Sequence, residues 1–402
     1  AAGLAAAEIW RRRGGQRQSV AVDMRAAATE FRSERHIRLE GAPPGEAWDA
    51  IAGLYRTADG WVRLHTNFPH HRAGVVRLLG CEDSRSAVQQ ALSAVEAVDF
   101  EGKATAAGLC VAASRGFAEW DAHPHAVFMR GMKPLRIERI GDAPAEPFRP
   151  GAMRPLSGVR VLELTRVIAG PVAGRTLAAH GAEVRHITGP GVPNMHVLLP
   201  DTHRGKRPAE IDLDLPAGAA QLRGLAAGAD VFLQSYRPGA LARRGFGAAE
   251  LAALRPGIVY ATLSAYGEDG PWGGKRGFDS LVQVATGFNA AEAEAAGSAT
   301  PRALPCQALD HASGYLLALG AMAALLRRAE QGGSWLVRVS LAGTGQWLRR
   351  LGRLENGLAA ADPGQAEIAD LLEESDSGFG RMQAVRHAAV LSATKAHWEL
   401  PA

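Results

Sequence analysis

The chain has 402 residues, of which 47% are hydrophobic and 21% charged, with a formal net charge of +4. That is enough to bury a full core and to build two or three domains. The charges are dispersed, whereas binding of nucleic acid needs a concentrated basic stripe. Cys81, Cys110 and Cys306 lie far apart without a CxxC pair, which excludes a disulfide framework or a zinc knuckle and points to a reducing, cytoplasmic setting. The longest strongly apolar run, Leu316 to Leu326, is shorter than the roughly 20 residues that span a bilayer and reads as a buried helix, so no membrane partner is expected.

The chain opens inside an Ala-rich helical pattern without an initiator Met, and an upstream part is expected. Residues 5–32 (AAAEIWRRRGGQRQSVAVDMRAAATEFR) match 322–349 (MAALLRRAEQGGSWLVRVSLAGTGQWLR) weakly, Val20 falling on Val337 and Trp10 on Arg327. Each reads as an apolar helix, a Gly-bearing turn, a strand and another helix. Two readings stay open: convergence on a common pattern, or a second copy of one element.

Segment 40–140 carries a hairpin signal in Leu54-Tyr-Arg-Thr-Ala-Asp-Gly-Trp-Val-Arg-Leu64, where Asp59-Gly60 supplies a two-residue turn. Helical stretches follow at 70–80 and 85–96. This predicts a smaller α+β domain, bounded by Pro/Gly-rich linkers at 41–46 and 141–155. His65, His70 and His71 have no acidic or thiol partner at ligand spacing, so no metal site is expected. Segment 159–263 alternates short β-branched runs with Ala/Leu helices, near 171–180, 216–228 and 239–253. The pattern predicts an α/β fold: a Rossmann-like parallel sheet with helices on both faces. The resulting division is a helix–strand remnant at 1–37, a small domain at 38–150 and a large domain at 151–402.

The first strand of the large domain is followed by Ala169-Gly-Pro-Val-Ala-Gly174, which lacks the G-x-G-x-x-G spacing, and the second ends at Ile187-Thr188 without an acid for a ribose hydroxyl. A dinucleotide site is therefore not expected. Two basic stretches, His203-Arg-Gly-Lys206-Arg207 and Tyr236-Arg-Pro-Gly-Ala-Leu-Ala-Arg243-Arg244, sit on predicted loops at strand ends. Such charges are usually just solvated, but strand ends of open α/β sheets are where a phosphate-rich ligand binds. Asp310, in Pro305-Cys-Gln-Ala-Leu-Asp-His-Ala-Ser-Gly-Tyr315, is a lone acid at the mouth of an apolar helix. Its bland reading is an N-cap. Its chemical reading is a desolvated carboxylate nucleophile of raised pKa.

Taken together, GVRVLELTRVIAGPVAGRTLAAHGAEV at 158–184, HRGKRPAEIDLDLPAG at 203–218, ADVFLQSYRPGALARRGFG at 229–247, PGIVYATLSAYGEDGPW at 256–272, GFDSLVQVATGF at 277–288 and ALDHASGYLLALGAMAALLRR at 308–328 resemble the family III CoA-transferases, the group containing formyl-CoA transferase and carnitine CoA-transferase. The resemblance implies that Asp310 is the catalytic aspartate, taking an acyl group and then CoA in covalent form. It implies that Thr165, Arg166, Val167 and Ala169 form the first CoA-contacting loop, that Lys206 lies on a basic loop, and that Ser235, Tyr236, Ala240 and Arg243 hold the adenosine and phosphates. Coenzyme A is then a substrate rather than a resident cofactor. The partners are then an acyl-CoA and a carboxylic acid, and because the family interlocks two chains, a homodimer is expected in which residues 40–140 cover the Asp310 site of the large domain.

There are departures from the family pattern. Ile168 stands where formyl-CoA transferase has a glutamine, Thr188 replaces a glutamate, Pro208 a serine and Ser235 an asparagine, and the small domain precedes the large one instead of following it. Two rivals share the resemblance. A non-catalytic CoA-binding protein would fit the rearranged domains. An α-methylacyl-CoA racemase needs a histidine in a Gly-His-Asp stretch, where this chain has Gly277-Phe278-Asp279, and phenylalanine cannot exchange a proton.

Overall fold

The computed structural model describes residues 1–400 and 402. Its large sheet has seven strands, numbered here in chain order: β1 (Leu135–Gly141), β2 (Arg160–Leu164), β3 (Glu183–Thr188), β4 (Lys206–Glu210), β5 (Val231–Gln234), β6 (Val259–Ser264) and β7 (Ser334–Ser340). Their spatial order is β1-β7-β6-β5-β2-β3-β4. All neighbours are parallel except β1, which runs antiparallel to β7. From β2 to β7 this is the doubly wound order 3-2-1-4-5-6, reversing between β2 and β5. The central strands read as continuous apolar runs, as a sheet covered on both faces requires; every residue of β5 and β6 is buried.

Two helices set the geometry of the site. Helix Ala169–Ala179 is buried along its whole length, its one charged residue, Arg175, being paired with Asp201. It packs on helix Ala308–Gln331 where Gly314 faces it: a Cβ on Gly314 would lie 2.6 Å from the Ala169 carbonyl oxygen and 2.8 Å from Val172 Cβ. This close crossing brings the first turn of 308–331 up to the loop after β2. At 24 residues that helix is long and apolar enough to cross a bilayer by length and composition, contrary to the reading of its apolar run as too short, but most of it is buried inside the protein.

The small domain is a three-stranded antiparallel sheet, Gly53–Arg56, Trp61–Leu64 and Val111–Ala113, with helices Pro69–Leu79, Arg85–Leu92 and Ala97–Ala106 around its own core. Arg56 pairs with Trp61 and Thr57 N–H donates to the Gly60 carbonyl, so the two residues at the tip of the hairpin are Ala58-Asp59 rather than Asp59-Gly60. Asp59 is there because its Oδ1 accepts from Ala97 N–H at 2.8 Å and ties the loop to the next helix. The segment 239–253, predicted as one helix, is a 3-10 turn Ala242–Arg244 and a helix Ala248–Leu254, broken at Gly245 with φ +79°. Residues 135–141, placed by sequence at the end of the small domain, supply an edge strand of the large sheet. Residues 372–385 form a hairpin that takes Arg38–Leu39 as its third strand.

Candidate active site

Asp310 is the third residue of its helix rather than the N-cap. Gln307 occupies the cap without a side-chain bond, and the orphan amide is satisfied from elsewhere: Asp310 N–H donates to Asp279 Oδ2 at 2.9 Å. Asp279 is in turn bonded by Gln283, whose amide is pinned by the Cys306 carbonyl and by Leu304 N–H. Capping is therefore done by Asp279 across the fold, and the Asp310 carboxyl is free for other use.

Both acids are buried. Burial, then the negative charges of Asp279 and Glu34, push the Asp310 carboxyl well above the usual carboxylate range. Asp279 is pushed up to about 6 by burial, against the hydrogen bonds that favour its charged form. Three acids converging in one apolar place are an arrangement that structure alone seldom needs, and such sites are candidates for chemistry.

Glu34 comes from the N-terminal segment. Ser33 donates to Asp201 Oδ2 at 2.7 Å, Asp201 is ion-paired with Arg175, and Phe31 stacks on His311 and Tyr315. These contacts hold Glu34 Oε2 3.0 Å from His311 Nε2.

Asp310 opens on a cavity of about 250 Å³ between the two domains. The large domain lines it with Val167, Ile168 and Phe278, the small domain with Trp48, His65 and Asn67. His65 lies face to face on Phe278, ring centroids 3.8 Å apart, and its Nδ1 is buried without a hydrogen-bond partner. Burial and the nearby Arg63 hold His65 down to about 3, so the ring is neutral. Val167 is held at φ +69°, a conformation costly for a β-branched residue and one that concentrates at functional sites. The small domain supplies its share of this cavity within the same chain. A buried clamp fixes the two domains together: Glu101 of the small domain pairs with Arg115 and with Lys275, whose Nζ lies 2.7 Å from Glu101 Oε1 and 3.6 Å from the Trp272 ring centroid.

The loops after β2 and β5 flank the point where the strand order reverses, outside the carboxyl ends of the strands, where open α/β sheets take their ligands. Thr165 is buried and donates to Glu163 at 2.5 Å; Arg166 lies over the Tyr236 ring; Ala169 begins the buried helix. Ser235 N–H donates to the Leu164 carbonyl, joining the two loops, and Ala240 and Arg243 follow on the same turn. Arg237 and Arg166 are both disfavoured as cations by burial and by the positive Arg276 nearby, Arg237 by Arg243 as well. Burial, His70 and the same arginines hold His71 down to about 4. Arg166, Arg237, Arg243 and Arg276 have no carboxylate partner among the described residues. A cluster of cations without acids is an anion site.

Lys206 is not part of it. Expected beside ligand phosphates, it is instead the first residue of β4 and lies wholly buried under the helix 169–179. There its Nζ is 2.8 Å from Glu163 Oε2 and 2.8 Å from the Pro171 carbonyl oxygen, with His186 on the same carboxylate. A Cβ on Gly174 would collide with that carboxylate. Sequence reading passed over Asp279, Glu34, His65, Arg237 and Arg276 as site residues. Asp279 left a signal inside the Gly-Phe-Asp stretch, Arg237 inside the second basic stretch, and His65 in the histidine group set aside as a metal site.

The doubly wound sheet thus carries a desolvated carboxyl in the first turn of one helix and a cation cluster at its switch point. The model of CoA-transferase family III matches residues 156–392, more than half of the chain, and the chain belongs to that family. Among curated relatives, the acetyl-coenzyme A transferase nodX of Hypoxylon pulicicidum is 37% identical over 213 residues, covering 52% of this chain and 36% of that protein. A probable fatty acyl-CoA transferase of Mycobacterium tuberculosis is 36% identical over 201 residues, covering 47% and 50%. The succinyl-CoA–D-citramalate CoA-transferase of Chloroflexus aurantiacus is 33% identical over 200 residues, covering 47% and 49%. A crystal structure of the M. tuberculosis protein aligns with a TM-score of 0.43 at 33% identity, covering 51% of this chain and 62% of that one. The chain thus spans half or less of the length of these curated relatives.

Proposed function

We propose that the protein moves CoA from an acyl-CoA thioester to a free carboxylic acid, with the Asp310 carboxylate as covalent carrier. The observation that carries this reading is the Asp310 carboxyl itself. It is relieved of capping by Asp279, is raised in basicity by burial and by two neighbouring acids, and opens on a mostly apolar cavity at the domain junction.

In the first step an Asp310 oxygen bonds to the acyl carbon of the thioester, and the carbon–sulfur bond breaks to release CoA thiolate and leave a mixed anhydride. The thiolate then attacks the aspartyl carbonyl, expelling the donor carboxylate and leaving an aspartyl-CoA thioester. The acceptor carboxylate attacks that thioester and releases the thiolate, which takes the acceptor's acyl carbon and frees Asp310. Only the ionised carboxyl is a nucleophile; the charges of Asp279 and Glu34 make it a stronger one and a scarcer one. The anionic end of CoA fits the cluster of Arg166, Arg237, Arg243 and Arg276, with Tyr236 offering a flat face beside it.

The test is Asp310→Ala. Transfer is expected to vanish while CoA affinity stays within a few-fold, since a nucleophile contributes to reaction rather than to ground-state binding. Wild type incubated with acyl-CoA and hydroxylamine should yield a hydroxamate at Asp310. Transfer surviving in the alanine variant refutes the mechanism.

One observation favours a second reading, an α-methylacyl-CoA racemase: His65 sits against Phe278, in the cavity where a second base would be needed. The same burial argues against it. A histidine held down to about 3 is a poor acceptor for an α-proton. Absence of deuterium uptake at the acyl α-carbon separates the two.

A further inference from the structure

The repeat noticed in the sequence recurs in the packing. Helix Ala2–Arg12, strand Val20–Val22 and helix Met24–Glu30 stand 317 positions before helix 308–331, strand β7 and helix Leu341–Arg350. Strand 20–22 pairs antiparallel with Ala389–Leu391: Val20 with Leu391, Ala21 with Val390, Val22 with Ala389. In the complete copy β7 pairs antiparallel with β1: Val337 with Ile137, Arg338 with Arg136, Val339 with Leu135. The two registers are the same, residue for residue. The helix contacts agree as well. Gly3 packs on Val20 Cγ1 and Ala389 Cβ, and its counterpart Gly320 packs on Val337 Cγ1 and the Leu135 side chain.

What differs is the other side. In the complete copy β7 has β6 along its second edge. Strand 20–22 belongs to a sheet of two strands only and leaves that edge open. Counterpart positions differ in burial accordingly: Ala321, Val339 and Leu341 are 0%, 3% and 3% exposed, whereas Leu4, Val22 and Met24 are 62%, 53% and 84% exposed. An open strand edge beside an apolar patch marks an interface.

We propose that this face docks a second large domain of the same type, one whose parallel sheet stops at its fifth strand. That strand, the counterpart of β6, would lie parallel to Val20–Val22 with Val22 opposite its counterpart of Leu263, as Val339 is opposite Leu263 here. A second copy of this chain does not fit, because its own β6 already holds β7 on that side. The inference stands independently of the transfer chemistry.

The experiment adds residues 156–317 ahead of Ala1 in the full chain, which keeps the repeat in phase, and follows hydrogen exchange of the peptide 18–26. The extended chain is expected to slow that exchange at least ten-fold relative to the 402-residue chain. Met24→Lys should remove the slowing in the extended chain and leave the 402-residue chain unchanged. Equal exchange in both chains, whether the added copy folds or not, overturns the proposal. So does light scattering that shows the 402-residue chain to be a dimer split by Val22→Lys, since the occupant would then be a second copy.

Discussion

Replacing Asp279 by Asn removes a buried negative charge while keeping an oxygen for the Asp310 amide. Asp279 has a folded-state pKa of about 6 against an ordinary 3.8. Its burial as a carboxylate therefore costs the folded protein about 3 kcal/mol at pH 7.5, about 1 kcal/mol at pH 4.5 and nothing below pH 3. The sign follows from the direction: a carboxyl raised on folding supports the fold while protonated and loses that support as pH rises through about 6. Against the relief stands one hydrogen bond. Gln283 donates to the other Asp279 oxygen and cannot turn over, because Leu304 N–H and the Cys306 carbonyl pin both ends of its amide, so about 1 kcal/mol is lost at every pH. Asp279→Asn should thus be about 2 kcal/mol more stable than wild type at pH 7.5 and equal to it at pH 4.5. Urea unfolding at the two pH values measures this by linear extrapolation. With one like charge gone, Asp310 should also ionise at lower pH, moving the acid limb of kcat/KM downward. A variant less stable at pH 7.5 than at pH 4.5, relative to wild type, would refute the charge argument.

Three further outcomes follow from the structure. Lys206→Ala leaves Glu163 buried without its cation, and should cost about 3–5 kcal/mol of stability in thermal or urea unfolding while CoA affinity, measured on folded protein, stays within two-fold. Arg276→Ala should weaken CoA binding about ten-fold in titration calorimetry, with the loss shrinking as salt rises; unchanged affinity would mean that the cluster does not meet the ligand. Val167→Gly removes both an isopropyl group and the strain at φ +69°, so its Tm should stay within a degree or two of wild type while kcat falls, because the loop that borders Asp310 becomes loose.

Much of the large domain was legible in the sequence because its signals are local. The apolar runs at 160–164, 231–234 and 259–264 form strands on their own propensity and length, and Gly314, Gly245 and Pro171 fall where packing, turn and helix start require them. Asp310 was legible for the same reason, as one acid in an apolar helix. The edge strands 135–141 and 206–210 were not: their alternating polar residues look like loops until a neighbouring strand supplies the hydrogen bonds.

The fate of each charge was decided by tertiary structure alone. Lys206 and Arg243 look alike in sequence, yet one ends fully buried on Glu163 and the other exposed beside three more arginines. The helix that carries Asp310 is capped by Asp279, thirty-one positions away, and Asp310 owes its basicity first to burial and then to that residue and to Glu34, 276 positions away. A local pattern fixes where the chain turns and which face is apolar. Desolvation and Coulomb energy depend on what the folded chain brings within a few ångströms, and neither the spacing nor the composition of the sequence carries that distance.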